Sequence, residues 1–310
     1  MPNYNGVWSL STQYQYAADW PLPPILGDLA LFTSGIASEA GVYYVVITTT
    51  GNGITWGDLS AGNFYTAGMS SSTRGVYAFG KTTGNANSNS MEFVTMRSLG
   101  VTGDFGDAQN TNLKSDSGSG NETRGIFVDG VTVNIISYIT IASTGDATDF
   151  GDTTQARGSL AGFSSPTRSV FAGGKTPTVV NTIDYVTIGS TGNATDFGDL
   201  VTSQGDCAGL SSSTRGIIAG GFSGAALVNT IQYVTIASTG NALDFGDLSA
   251  AKQFSTGTSN STRGLIQVGE GTTACEYITI SSTGNSTDFG DLYFGNGGTG
   301  AVSTAHGGLS

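Results

Sequence analysis

The sequence predicts an all-β protein in which six similar units are arranged in a ring, and three observations predict it. A phrase of the form aromatic-(V/I)TI-x-STGN-x-x-D-(F/W)-GD recurs six times along the 310 residues. Its second aromatic falls at Trp56, Phe105, Phe150, Phe197, Phe245 and Phe289, at spacings of 49, 45, 47, 48 and 44. A strand-rich period of that size marks a propeller or a solenoid. A short apolar run ending in Gly also recurs six times, from ALFTSG at 30–35 and GVYAFG at 75–80 to GLIQVG at 264–269. Finally, the last segment, residues 290–308, matches the front of a unit whose remainder lies near the N-terminus.

The unit beginning at Gly198 shows how each piece is read. GDLVTSQGDCAGLSSST supplies a first short strand and a turn. Arg215-GIIAGG is an apolar run closed by glycines, as a buried strand requires. Tyr233-VTIAS is β-branched and suits a half-buried strand. The following STGNA is turn chemistry, because Gly and Asn tolerate positive φ. Asp244-FGDL then leads into the next unit.

The split unit selects a ring over a solenoid. A solenoid has capping ends and gains nothing by dividing one repeat between them. A propeller gains an edge-free closure when its terminal strands pair. Residues 28–310 hold six units of about 47 residues, so six blades are expected, closed by pairing of the N- and C-terminal strands. Seven blades would need a further, degenerate unit. Residues 1–27 lie outside the repeat and form an N-terminal arm rich in aromatics and Pro. Its Tyr4, Trp8, Tyr14, Tyr16 and Trp20 are candidates for docking onto a partner.

Composition narrows the function classes. Only 11% of residues are charged, and 23 acids against 11 bases give a net charge of −12. That balance opposes nucleic-acid binding, which depends on Lys and Arg at phosphates. The chain has no apolar run of spanning length and no signal peptide, so membrane insertion and signal-directed secretion are not expected. Cys207 and Cys275 are at non-equivalent repeat positions and read as buried small hydrophobes.

The scarce charges are concentrated in the repeat. Five of seven arginines, Arg74, Arg124, Arg168, Arg215 and Arg263, follow Thr at the head of the apolar run. Eleven of 18 aspartates lie in the D-F-G-D phrase, among them Asp58, Asp107, Asp152, Asp199, Asp247 and Asp291. A catalytic pair should occur once, so a structural ring is expected, with Arg paired to Asp or Asp accepting turn N–H groups. Calcium is a weak alternative for these carboxylates, since no dense Asp/Asn/Gly loop surrounds them; no other cofactor is expected. His306 is the only histidine and reads as a stand-in for the sixth repeat arginine.

The Gly-Gly pairs at 173–174 and 220–221, followed by an aromatic and then Phe or Trp, resemble the kelch repeat. The fuller form, with STRG, YVTIASTGNALDFGDL and the opening MPNYNGVWSLS, resembles repeat proteins of marine bacteriophages, cyanophages among them. The resemblance implies a non-enzymatic virion protein made in the host cytoplasm, a decoration or tail-associated scaffold partnered by capsid or tail proteins. The alternative is a receptor- or carbohydrate-binding module of a tail fibre that recognises a host surface glycan. Three stretches break the repeat, at 80–93, 112–122 and 292–308. They occupy different linker positions, and the sequence alone gathers them into no single patch.

Overall fold

The computed structural model describes residues 27–35, 39–82, 86–100, 102–111, 117–130, 132–293 and 297–309. The docking candidates Tyr4, Trp8, Tyr14, Tyr16 and Trp20 lie outside the described residues. Among those described, the chain contains strands and turns and no helix. The strands form small antiparallel sheets, and the architecture is β-propeller-like.

The first sheet holds β1 (Leu29–Thr33), β2 (Gly41–Val46) and β3 (Ile54–Asp58). A two-residue strand, β4 (Asn63–Phe64), precedes the second sheet, made of β5 (Ala67–Ser70), β6 (Arg74–Ala78), β9 (Ser90–Thr95) and β10 (Thr102–Asp107). Strands β7 (Lys81–Thr82) and β8 (Ala86–Asn87) form a small sheet with β4. The third sheet is β11 (Ser119–Gly120), β12 (Arg124–Val128), β13 (Ile135–Thr140) and β14 (Thr148–Asp152). The fourth is β15 (Ala161–Ser164), β16 (Arg168–Ala172), β19 (Thr182–Thr187) and β20 (Thr195–Asp199), with β17 (Lys175–Thr176) and β18 (Thr178–Val179) as a side hairpin. The fifth is β21 (Ala208–Ser211), β22 (Arg215–Ala219), β23 (Thr230–Thr235) and β24 (Leu243–Asp247). The sixth is β25 (Thr256–Ser259), β26 (Arg263–Gln267), β27 (Ala274–Thr279) and β28 (Thr287–Asp291).

The last strand, β29 (Ala301–Ser303), joins the first sheet. It pairs antiparallel with β1, with Ala30 opposite Ser303 and Phe32 opposite Ala301. The turn that elsewhere links the first two strands of a sheet is rebuilt here by hydrogen bonds. Leu29 N donates to Thr304 Oγ1 at 2.9 Å, and Thr304 N donates to Leu29 O at 3.0 Å. In the second sheet the same bonds are intramotif, from Arg74 N to Ser71 Oγ and from Ser71 N to Arg74 O. The expected pairing of the terminal strands is therefore present.

The D-F-G-D phrase is itself a strand, the fourth of its sheet, and not only a lead into the next unit. A register shift next to its aromatic turns that side chain inward, and the aromatic is buried while both neighbouring aspartates are at the rim. Such a bulge re-aims one side chain without ending the ladder.

The cores lie between successive sheets. Val170, Ala172, Ile183 and Phe197 of the fourth sheet pack on Ile218, Val234 and Ile236 of the fifth. The sixth and first sheets pack alike, with Leu265, Cys275 and Phe289 against Ala30, Phe32, Val45 and Ile47. Cys207 and Cys275 are buried and stand in no disulfide with a described residue, and burial pushes the Cys275 thiol up.

Candidate functional site

The five repeat arginines reach across sheet boundaries. Arg124 Nη1 donates to Ile188 O at 2.7 Å, Arg168 to Ile236 O at 2.9 Å and Arg215 to Ile280 O at 2.9 Å. Arg74 Nη1 spans two carbonyls, Ile141 O at 3.0 Å and Ala142 O at 2.9 Å, and Arg263 reaches Ile47 O at 3.0 Å. Each guanidinium also covers an aromatic ring of its own sheet: Arg74 over Phe93, Arg124 over Tyr138, Arg168 over Tyr185, Arg215 over Tyr233 and Arg263 over Tyr277, at 4.3–4.6 Å. That ring meets the buried Phe of the outer strand edge-on, as Tyr185 meets Phe197 at 5.8 Å.

The expected pairing of these arginines with the aspartates is not what forms. The carboxylates of Asp58, Asp107, Asp199, Asp247 and Asp291 are exposed at the rim, and Asp152 is half-buried there. A carbonyl end is a better partner than a solvated carboxylate for a guanidinium held against a ring, because the rim site screens the ion pair. The Asp291 carboxylate accepts a hydrogen bond from Thr273 Oγ1 at 2.8 Å.

What the motif does contribute is backbone. Asp152 N donates to Asn193 Oδ1, Asp199 N to Asn241 Oδ1, Asp247 N to Asn285 Oδ1 and Asp291 N to Asn52 Oδ1, at 3.0–3.1 Å. Asp146 takes the Asn place for Asp107, at 3.0 Å. The STGN segments are thus turns that dock onto the preceding sheet. The motif Gly makes the close approach possible. At Gly198 (φ 144°) an added Cβ would stand 2.5 Å from Gly240 O. The arrangement recurs between the sixth and first sheets, where Gly51 N donates to Phe289 O at 2.9 Å.

Sequence reasoning missed a second set of anchors, at the third residue of the third strand in four sheets. Glu92 accepts from Ser60 N and its hydroxyl, Glu276 from Ser249 N and its hydroxyl, and Gln232 Oε1 from Val201 N. Asp184 accepts from Thr154 and from the fully buried Arg157, whose Nη1 lies 2.7 Å away. These side chains hold the linkers that enter the second, fourth, fifth and sixth sheets. Their signal was a lone polar residue before the strand aromatic, varied in type and so hidden from the repeat.

The innermost strands β5, β11, β15, β21, β25 and β29 contact one another in succession, β29 returning to β5. Their glycines leave no room for side chains: an added Cβ would lie 2.0 Å from Gly68 O at Gly118 and 2.3 Å from Ser117 O at Gly162. One end of the axis carries a chain of serines. Ser70 Oγ donates to Ser303 O, Ser303 to Ser259, Ser259 to Ser211, Ser211 to Ser164 and Ser164 to Gly120, at 2.5–2.8 Å. Gly120 has no hydroxyl to continue it. His306 supplies the missing bond: its Nε2 lies 2.9 Å from Ser70 O, and Nδ1 accepts Gly308 N–H at 3.1 Å. Those partners fix the neutral tautomer with the proton on Nε2, and burial lowers the imidazole pKa. His306 is therefore not a substitute for the repeat arginine, whose place at the head of β1 is taken by Leu29. The axial cavity beside it measures about 40 Å³, enough for a few waters.

The innermost strands run in one direction, because their equivalent residues meet at one height. Strand alternation then places every linker between sheets, and every loop between second and third strands, on the opposite face from the serines. Residues 119–122 and 301–308 run to the serine end, where Asn121, Glu122 and Gly308 line one pocket, so no single patch gathers the irregular stretches. The described parts of 80–89, 117–118 and 292–300 reach the linker face. Here Tyr65, Ser159, Asp206, Phe254 and Gly298 hold equivalent places two residues before an innermost strand, or at its counterpart, and all have positive φ, between 55° and 76°. Backbone bonds link four of the steps: Asp206 N to Ser159 O, Phe254 N to Asp206 O, Gly298 N to Phe254 O and Tyr65 N to Gly298 O.

No group of three His, Cys, Asp or Glu able to hold a metal is found among the described residues, and no described helix is long and apolar enough to cross a membrane. No protein-family model matches the chain, and no curated protein matches its sequence.

Proposed function

We propose that the chain is a closed, kelch-like six-bladed β-propeller that serves as a non-enzymatic structural or accessory protein of a bacteriophage particle. In this reading it is a decoration or tail-associated scaffold attached to capsid or tail proteins through residues 1–27. The observation that carries the scaffold reading is the use of the recurrent charged and polar residues. Arg74, Arg124, Arg168, Arg215 and Arg263 all bond a neighbouring sheet, and the Arg263–Ile47 contact repeats between last and first sheets what the others do within the series. The phage assignment rests on the resemblance of the repeat phrase and the opening segment. Purified particles test it. Stoichiometric presence, with antibody label or cryo-EM density on the shell or tail, supports the reading; absence from particles overturns it.

A second reading, a receptor- or glycan-binding module, is favoured by the meeting of half-buried aromatic rings from two distant linkers, Tyr65 and Phe254, at 5.8 Å. Label confined to the distal tail would select it.

A further inference from the structure

We propose that the mouth of the axis on the linker face is a binding site for neutral carbohydrate, with Tyr65 and Phe254 as its stacking platform. The proposal rests on the second reading above and goes further by naming residues and ligand class. Phe64 and Tyr65 lie 4.9 Å apart, and Tyr65 meets Phe254 at 5.8 Å, edge to face. All three rings are half-buried. Phe254 comes from a linker far in sequence from Phe64 and Tyr65, and the rings meet because Gly298, which sits between Phe254 and Tyr65 in the hydrogen-bonded series, has no side chain to part them. The next position in that series is Asp206, whose carboxylate is held by Lys175, itself one-third exposed. The mouth thus offers an apolar crescent beside one partly exposed cation, Lys175, held by a buried carboxylate.

Tyr65 has φ 57° and Phe254 φ 60°, a conformation they share with Ser159, Asp206 and Gly298 and which therefore belongs to the repeat. What is particular to this side of the mouth is the aromatic side chain at two of the five positions. The chemistry that fits is a pyranose: its C–H face stacks on aromatic rings, and an edge hydroxyl pairs with the Lys175 ammonium. A net charge of −12 disfavours anionic sugars.

The test uses the full chain against soluble neutral oligosaccharides of glucose, galactose, mannose and N-acetylglucosamine, with sulfated and sialylated glycans alongside. Binding is read by calorimetry, and thermal unfolding is recorded for each variant. The wild type is expected to bind at least one neutral glycan. Tyr65→Gly with Phe254→Gly is expected to weaken that binding at least about tenfold while the melting temperature holds or rises, since glycine relieves the backbone. Neutral-glycan binding that survives the double substitution would overturn the site while leaving the glycan-module reading intact. No neutral-glycan binding by the wild type would overturn this proposal, and binding of the anionic set alone would do so while keeping a glycan module. A clear fall in melting temperature in the double variant would show the rings to be structural and overturn it as well.

Discussion

Arg263 Nη1 donates to the carbonyl oxygen of Ile47 at 3.0 Å, joining residues 216 positions apart in the chain. Arg168 makes the equivalent bond to Ile236 at 2.9 Å, between sheets adjacent in sequence. The two contacts are chemically alike, and they differ only in that one joins the ends of the molecule.

That likeness gives a test of ring closure. Replacing either arginine with Met removes a stacked cation and leaves a carbonyl without its donor, which costs about 2 kcal/mol. In a chain of this length that corresponds to a melting temperature lower by about 3 °C. Arg168→Met and Arg263→Met are expected to shift thermal unfolding equally. A loss at Arg168 with none at Arg263 would mean that the last and first sheets are not joined in solution.

Glycine in the D-F-G-D phrase is required by an approach of two backbones. Gly198 has φ 144°, and a Cβ there would lie 2.5 Å from Gly240 O. Gly198→Ala is therefore expected to destabilise by more than about 2 kcal/mol. Gly189 has open space around its Cβ direction and no unusual φ, so Gly189→Ala should change stability by less than about 0.5 kcal/mol. Urea titrations of the two variants make the comparison, and equal effects would remove the docking role from Gly198.

The strands were legible because their chemistry is local. The apolar run after Arg215 and the β-branched run after Tyr233 can be read residue by residue, and both are strands. The destination of Arg215 was not legible. Charge balance paired it with an aspartate, whereas the fold presents it with Ile280 O from the next sheet, a group every residue carries and no sequence displays. The Asn of STGN was read as a turn former, which it is. That Asn193 also holds Asp152 N depends on which sheet stands beside it. The mouth was hidden differently: Tyr65 and Phe254 are 189 positions apart and lie at a repeat position whose residue type is not kept.

Asp129 gives a pH dependence of one sign. It accepts from Ser137 Oγ at 2.5 Å, and burial pushes its carboxyl up to about 6 despite that hydrogen bond. Its folded pKa lies above the unfolded value. Its contribution is fully present below about pH 4 and is lost as pH rises through about 6, a change of as much as about 3 kcal/mol. Asp129→Asn keeps an acceptor for Ser137 and removes the charge. The variant should be more stable than the wild type at pH 8 and equal to it near pH 4. Denaturant titrations at the two pH values decide, and a gap of the same size at both would refute the buried-carboxylate account.

His306 gives the opposite sign. Burial lowers its pKa below the ordinary 6.5, with Glu122 nearby opposing the shift. The neutral ring donates to Ser70 O and accepts from Gly308 N, so a second proton would face the Gly308 N–H it now accepts. A depressed folded pKa means that the stability is present above about 6.5 and is lost as pH falls through the folded value. His306→Gln retains an amide donor for Ser70 O and cannot titrate. The wild type should therefore lose stability relative to His306→Gln between pH 7 and pH 5. His306→Ala should cost about 1–3 kcal/mol at pH 7, because Ser70 O then lacks its partner. A difference between wild type and His306→Gln that stays constant across this range would show that the imidazole does not titrate against the serine series. The axial join would then depend on the β1–β29 ladder and the Thr304–Leu29 bonds alone.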